Sequence, residues 1–239
     1  MAAVLGIILL NIQEQQPEPS YDGHPFSCWL TELKNNHRED RYDGHTMAYW
    51  MSGNPNPNAP YWDNTNVAGN AAEAAIRAIG TNALPALIER IKSRPGHTAQ
   101  MAESLGKKIG VHFRSAQDAN RRADEAVYAF GFLGSNALPA IGPLSNMVCN
   151  PNNYILTSDC TEALMRLGEP GVKTLVSILA DPSVRWRSTI SYHITDCRPQ
   201  ELEIMIAALA NLTNDSNKHL REACASNLQL LNRRSPKNH

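Results

Sequence analysis

Gly80-Thr-Asn-Ala-Leu-Pro-Ala-Leu87 returns almost unchanged as Gly134-Ser-Asn-Ala-Leu-Pro-Ala-Ile141, 54 residues further on (134 − 80). A block repeated in register implies a repeated structural unit. In each copy a Gly ends one apolar-periodic run and a Pro stands in the first turn of the next, the order found where one helix stops and a second begins. A helical hairpin cannot bury its apolar face alone, so repeated hairpins stack. The pattern predicts an all-α chain, a right-handed α-solenoid of roughly four to five stacked helical hairpins.

The same grammar extends outward from the two blocks. Val67, Ala71, Ala72, Ala75, Ile76 and Ile79 share one helical stripe before Gly80, and Leu84, Leu87, Ile88 and Ile91 face back from the partner helix. Met101, Leu105 and Ile109 mark a helix that does not copy the repeat and lengthens the first interval. A second hairpin runs through Ala119, Ala123, Val127 and Phe130 to the turn at Gly134, then through 137–148. The third turns at Gly168-Glu-Pro-Gly171, 34 residues after the previous turn (168 − 134), between Cys160, Ala163, Leu164 and Leu167 on one side and Val172, Leu175, Val176 and Leu179 on the other. Asp181-Pro-Ser-Val-Arg185 reads as an N-cap followed by Pro at the first helical position of a fourth hairpin, continued by Ile190 and Ile194 and returning over 199–212. Asp215-Ser-Asn opens a last helix with Leu220, Cys224, Leu228 and Leu231 on one face.

Four segments follow: an apolar stub and polar linker over 1–20, a lead-in helix and Asn/Pro-rich loop over 21–66, the repeats over 67–232, and a polar tail over 233–239. In the second, Pro25 precedes Phe26, Trp29, Leu30 and Leu33 at helical spacing, Met47 to Met51 suit one more turn of helix, and Gly53-Asn-Pro-Asn-Pro-Asn-Ala-Pro60 excludes regular structure. Residues 2–10 are uninterrupted and apolar but too short to span a bilayer, which takes about 20 residues. A truncated membrane anchor, a short signal and a first helix docked on the fold remain open readings of that run, with membrane-anchored or exported placement set against a cytoplasmic one.

Composition narrows the classes. Lys and Arg total 22 against 23 Asp and Glu in 239 residues, so the net charge of −1 gives no bulk attraction to nucleic acid or anionic lipid. Cys28, Cys149, Cys160, Cys197 and Cys224 are odd in number and contain no C-x-x-C pair, which signals neither a disulfide framework nor a zinc site. Most fall at apolar-periodic positions and are expected as small buried hydrophobes.

Ala74-Ala-Ile-Arg-Ala-Ile-Gly80 followed by Ala83-Leu-Pro-Ala-Leu87, together with Asp181-Pro-Ser-Val-Arg185, resembles the HEAT-repeat pattern of an Asp-x-x-Val-Arg start, an Ala-rich helix and a Gly-x-x-Ala-x-Pro join. Tyr21-Asp-Gly-His-Pro-Phe-Ser-Cys-Trp-Leu30 is similar to the lead-in of bacterial HEAT-repeat proteins that commonly carry an N-terminal anchor or signal. The resemblance implies an armadillo-type superhelix acting as a protein-interaction scaffold. HEAT-like enzymes, DNA base glycosylases and bilin-type lyases, are the alternative it brings with it.

Candidate chemistry is sparse. His24 and His45 both close a Tyr-Asp-Gly-His string, which in principle gives two Asp and two His to a metal, but Asp-Gly is ordinary turn chemistry. Ser188, Ser191 and His193 lie close in sequence, although positions two apart on a helix do not face each other. No phosphate-cradling glycine motif and no G-x-S-x-G turn occurs, so no catalytic, cofactor or metal set is assigned. The second helices carry Arg90, Lys92 and Lys173 against Glu89, Glu201 and Glu203, a mixed face that does not suit nucleic acid. Tyr49, Trp50, Tyr61 and Trp62 flank the Asn-Pro loop, and Trp186 stands between Arg185 and Arg187; these five are the candidate partner-binding residues. The expectation is a non-enzymatic scaffold that holds a protein partner by its concave face or by the Asn-Pro loop.

Overall fold

A computed structural model of the chain describes residues 17–37, 71–95, 101, 105, 108, 114–150, 154–194, 197 and 200–234. These residues are mostly helical. The exception is a small hairpin, β1 (Ser20–Tyr21) against β2 (His24–Pro25), with Tyr21 opposite His24. Asp22 and Gly23 turn its corner with φ of 50° and 75°, the left-handed pair that Asp-Gly adopts most readily. The expected turn therefore closes a short β ladder. It seats α1 (Phe26–His37), whose Phe26, Trp29, Leu30 and Leu33 are all buried. The Trp29 indole N–H donates to the Tyr21 carbonyl at 3.1 Å, so the hairpin is bonded to the helix it introduces.

Three helical hairpins follow. The first is α2 (Ala71–Ile79), a 3-10 turn (Gly80–Ala83) and α3 (Leu84–Lys92). The second is α4 (Arg114–Leu133), a 3-10 turn (Gly134–Ala140) and α5 (Ile141–Val148). The third joins α6 (Tyr154–Arg166) directly to α7 (Glu169–Ala180). Then come α8 (Arg187–His193), α9 (Leu202–Leu212) and α10 (Lys218–Arg234).

The two copies of the repeated block adopt matching turns. Gly80 and Gly134 have φ of 59° and 57°, a region that side chains with a Cβ rarely enter. Pro85 lies in the first turn of α3, where a missing N–H leaves no bond unmade. Pro139 differs: it lies inside the 3-10 stretch, and α5 begins only at Ile141. The turns also touch, since a Cβ built on Gly80 would lie 3.5 Å from Asn136 Nδ2. Nearby, Arg77 Nε donates to the Phe132 carbonyl at 3.3 Å, tying the end of α2 to the end of α4.

The helices form two rows. In the first, α2, α4, α6, α8 and α10 are successive neighbours; in the second, α5 packs on α7 and α7 on α9. Each second-row helix also packs on the first-row helix that follows it: α3 on α4, α5 on α6, α7 on α8 and α9 on α10. Between the rows runs one buried apolar cluster, from Phe26 to Leu231.

Several expectations are corrected. Asp181-Pro-Ser-Val-Arg185 does not open a helix; α8 begins at Arg187. The Asp181 carboxylate accepts the Ser183 N–H at 2.9 Å and its carbonyl accepts the Val184 N–H at 3.2 Å, so the segment satisfies itself as a turn. The last helix starts at Lys218, with Asn217 Oδ1 accepting the Leu220 N–H at 3.2 Å as the cap. Ala71 is exposed, and so are Met101 at 54% and Leu105 at 60%, although all three were expected on apolar stripes. Of the cysteines, Cys160, Cys197 and Cys224 are buried while Cys28 and Cys149 are exposed. No helix among the described residues is long and apolar enough to cross a membrane. The apolar run at 2–10, Val67, Ile109, and the segments 47–51 and 53–60 lie outside the described residues.

Candidate functional site

Neighbours α6 and α8 bring four side chains together in facing pairs. Tyr154 and Ser158 are four residues apart on α6 and therefore lie one above the other. Trp186, at the N-cap of α8, and His193, at its end, are two turns apart on the same side. Across the seam, the Tyr154 and Trp186 rings are 6.1 Å apart at 54°, and Ser158 Oγ is 2.6 Å from His193 Nε2. The Arg185 guanidinium lies 4.8 Å over the Trp186 ring, a cation–π contact. Tyr154 and Arg185 are exposed, Trp186 is half-buried, and its indole N–H is closed off from solvent with no hydrogen-bond acceptor among the described residues.

Ser158 and His193 form a hydroxyl–imidazole pair in which either atom can donate, depending on the tautomer. A serine nucleophile also needs a group that orients the imidazole and donors for the developing oxyanion. Among the described residues, no carboxylate is bonded to the other nitrogen of His193. The pair is a bonded contact between two hairpins with one element of nucleophilic chemistry.

A second polar cluster lies between α3, α4 and α6. The Arg94 guanidinium, just past α3, pairs with Asp124 of α4 and stands 2.6 Å from Asp159 Oδ2 of α6. That second contact is off the N–H axis, so it is Coulombic attraction without an aligned hydrogen bond. Burial pushes the Asp159 carboxyl up to about 7, Arg94 opposes the rise, and Asp124 and Glu162 add to it. Glu162 is held by Arg166 at 2.6 Å, and the Arg166 guanidinium covers the Tyr128 ring at 4.3 Å. Beside this cluster, buried Glu125 is paired with Arg121 at 2.8 Å and Arg90 at 3.6 Å, and Arg90 also reaches Glu18 at 3.1 Å.

Of the five residues singled out from the sequence, Trp186 joins the α6–α8 cluster, while Tyr49, Trp50, Tyr61 and Trp62 lie outside the described residues. His24 sits edge-on to Trp29 at 5.4 Å, and His45 is outside the described residues. No group of three or more His, Cys, Asp or Glu able to hold a metal is found among the described residues. Ser191 donates to the Ser188 carbonyl at 2.7 Å, so these two serines do not serve His193. Of the second-row cations, Lys92 is paired with Glu89 and Lys173 with Glu169, both at 2.6–2.7 Å.

Sequence reading missed Tyr154, Ser158 and the role of His193. The signal was the repeat period itself: Ser158 and His193 are 35 residues apart, and Tyr154 and Trp186 are 32 apart (186 − 154), close to the 34-residue interval between turns. Residues one period apart on first-row helices become lateral neighbours. No family model, curated protein or solved structure among those compared with the chain matches it.

Proposed function

We propose that the chain is a non-enzymatic interaction scaffold, a right-handed α-solenoid of HEAT-like hairpins that docks a protein partner on the seam between α6 and α8. The observation that carries this reading is the exposed Tyr154, Trp186 and Arg185 cluster, because partly buried aromatics backed by an arginine are the anchors protein interfaces use most. Two-row helix packing and the contact between the repeated turns support the solenoid. The first-row face is favoured over the second, whose cations are matched by their own acids. Charge complementarity selects the partner: a protein segment that presents an acidic side chain to Arg185. Its backbone or carboxylate oxygen also supplies an acceptor to the Trp186 indole N–H, an unmade bond that costs about 1–3 kcal/mol when left buried.

The test is a displayed-peptide selection on the full chain, followed by calorimetry of the enriched peptides against wild type and Trp186→Ala. Asp- or Glu-bearing peptides are expected, bound about thirtyfold more weakly by the variant, the equivalent of a hot spot of about 2 kcal/mol. Enrichment of basic peptides, or equal binding by the variant, would contradict the reading.

Ser158 and His193 support a second reading, an acyl-transfer enzyme in which His193 takes the Ser158 proton as Oγ attacks an activated carbonyl. A fluorophosphonate probe separates the two. The scaffold reading expects no stoichiometric labelling of Ser158, and labelling abolished by His193→Gln would establish the enzyme.

A further inference from the structure

We propose that Arg94, Asp124 and Asp159 form a pH-sensitive joint between three successive hairpins, closed while Asp159 carries a proton and loosened when it ionises. The inference concerns the frame of the molecule and stands apart from docking at the α6–α8 seam. Its geometry is specific: one guanidinium, fixed just beyond α3 where the Arg94 N–H donates to the Ile91 carbonyl at 3.1 Å, faces carboxylates from two different helices. Asp159 is only 8% exposed. Once ionised, it shares a single cation with Asp124 inside a nearly dry seam, with the Glu162 carboxylate one turn away on its own helix. Charge dispersal over Arg94 offsets that cost only in part, because the Nε contact is not an aligned hydrogen bond.

The surrounding charged groups are these. From α4 come Asp124 and, beside it, Glu125, the latter held by Arg121 and Arg90. On α6 itself are Glu162 and Arg166, and Arg166 rests on Tyr128 of α4. From α5 a neutral group, the Val148 carbonyl, accepts the Thr157 hydroxyl, and α7 carries the exposed Glu169–Lys173 pair. From α8 His193 faces Ser158, the residue next to Asp159.

The sign follows from linkage. Asp159 titrates near 7 in the closed seam and returns toward its ordinary 3.8 when the seam admits water. Between those values the closed form holds one more proton than the open form, so opening becomes about tenfold easier per pH unit as pH rises, and levels off above about 7. The stabilisation is complete below the ordinary value and is lost as pH rises through the raised one.

Native-state hydrogen exchange of the α6 amides in the full chain, from pH 5 to 8 and corrected for the intrinsic chemical rate, measures this directly. In wild type the opening constant rises about tenfold per unit and reaches a plateau near pH 7. Asp159→Asn, which keeps the shape of the neutral acid, flattens the profile. Asp124→Asn removes a neighbouring negative charge and moves the plateau to lower pH, while His193→Gln leaves it in place. A flat wild-type profile, an unchanged rise in Asp159→Asn, an unmoved plateau in Asp124→Asn, or a rise abolished by His193→Gln overturns the proposal.

Discussion

Arg187 holds Asp215 with both arms of its guanidinium, Nη1 to Oδ2 at 2.6 Å and Nη2 to Oδ1 at 3.2 Å. Arg187 is only 4% exposed and also donates to the Leu179 carbonyl at 3.2 Å. Asp215 in turn accepts the Asn217 N–H at 2.8 Å, and its carbonyl accepts Arg221 Nη1 at 2.6 Å. One ion pair thus fastens the end of α7, the start of α8 and the turn before α10. The sequence carries the same pattern twice, because Asp181 and Arg187 recur as Asp215 and Arg221, both 34 residues on (215 − 181 and 221 − 187).

Breaking this pair from one side leaves the other charge buried and uncompensated. Arg187→Met or Asp215→Ala should each lower the unfolding free energy by about 3–5 kcal/mol, with the double variant losing less than the sum. Urea unfolding of the three variants at pH 7 checks it. The Arg187 bond, then the Asn217 N–H, holds the Asp215 carboxyl below its ordinary range, so this stabilisation is present above pH 3.8 and fades as pH falls through the lowered value.

Two glycines should respond to alanine in opposite directions. A Cβ on Gly171 would lie 1.9 Å from the Leu164 carbonyl oxygen, so α7 cannot keep its place against α6, and Gly171→Ala should cost at least about 3 kcal/mol. At Gly142 a Cβ meets nothing within 4 Å, and removing a helical glycine there should stabilise by about 0.5–1 kcal/mol. Thermal unfolding of both variants decides the matter.

Thiol reactivity should divide the cysteines. Cys28 and Cys149 are exposed, and alkylation at pH 8 should reach both before the rest, although burial and then Asp181 raise the Cys149 thiol. Cys160 is shielded and raised by burial and then by Asp159, and burial, then Asp215, pushes Cys224 to about 11. Cys160, Cys197 and Cys224 should react only in denaturant, as peptide mass spectrometry of time points would show.

Turn positions were legible because Gly80, Gly134 and Gly168 all need positive φ, a local demand that a single residue type meets. Burial on α4 and α6 was legible from period alone, as with Ala123, Val127, Phe130 and Leu164. Asp181 was misread because an N-cap and a self-bonded Asp turn use the same residues, and only the position of Arg187 separates them. Glu73, Glu125 and Asp159 were invisible as buried acids, since their partners Arg77, Arg121 and Arg94 matter only once helices are placed. The cluster at α6 and α8 needed the same step: Ser158 and His193 meet only when hairpins one period apart lie side by side.

The most direct test of the account is the hydrogen-exchange footprint of the tightest selected acidic peptide on the full chain. Protection concentrated at 154–158 and 185–193 is the predicted result. Protection confined to α3, α5, α7 and α9, with the α6–α8 seam unchanged, would contradict it.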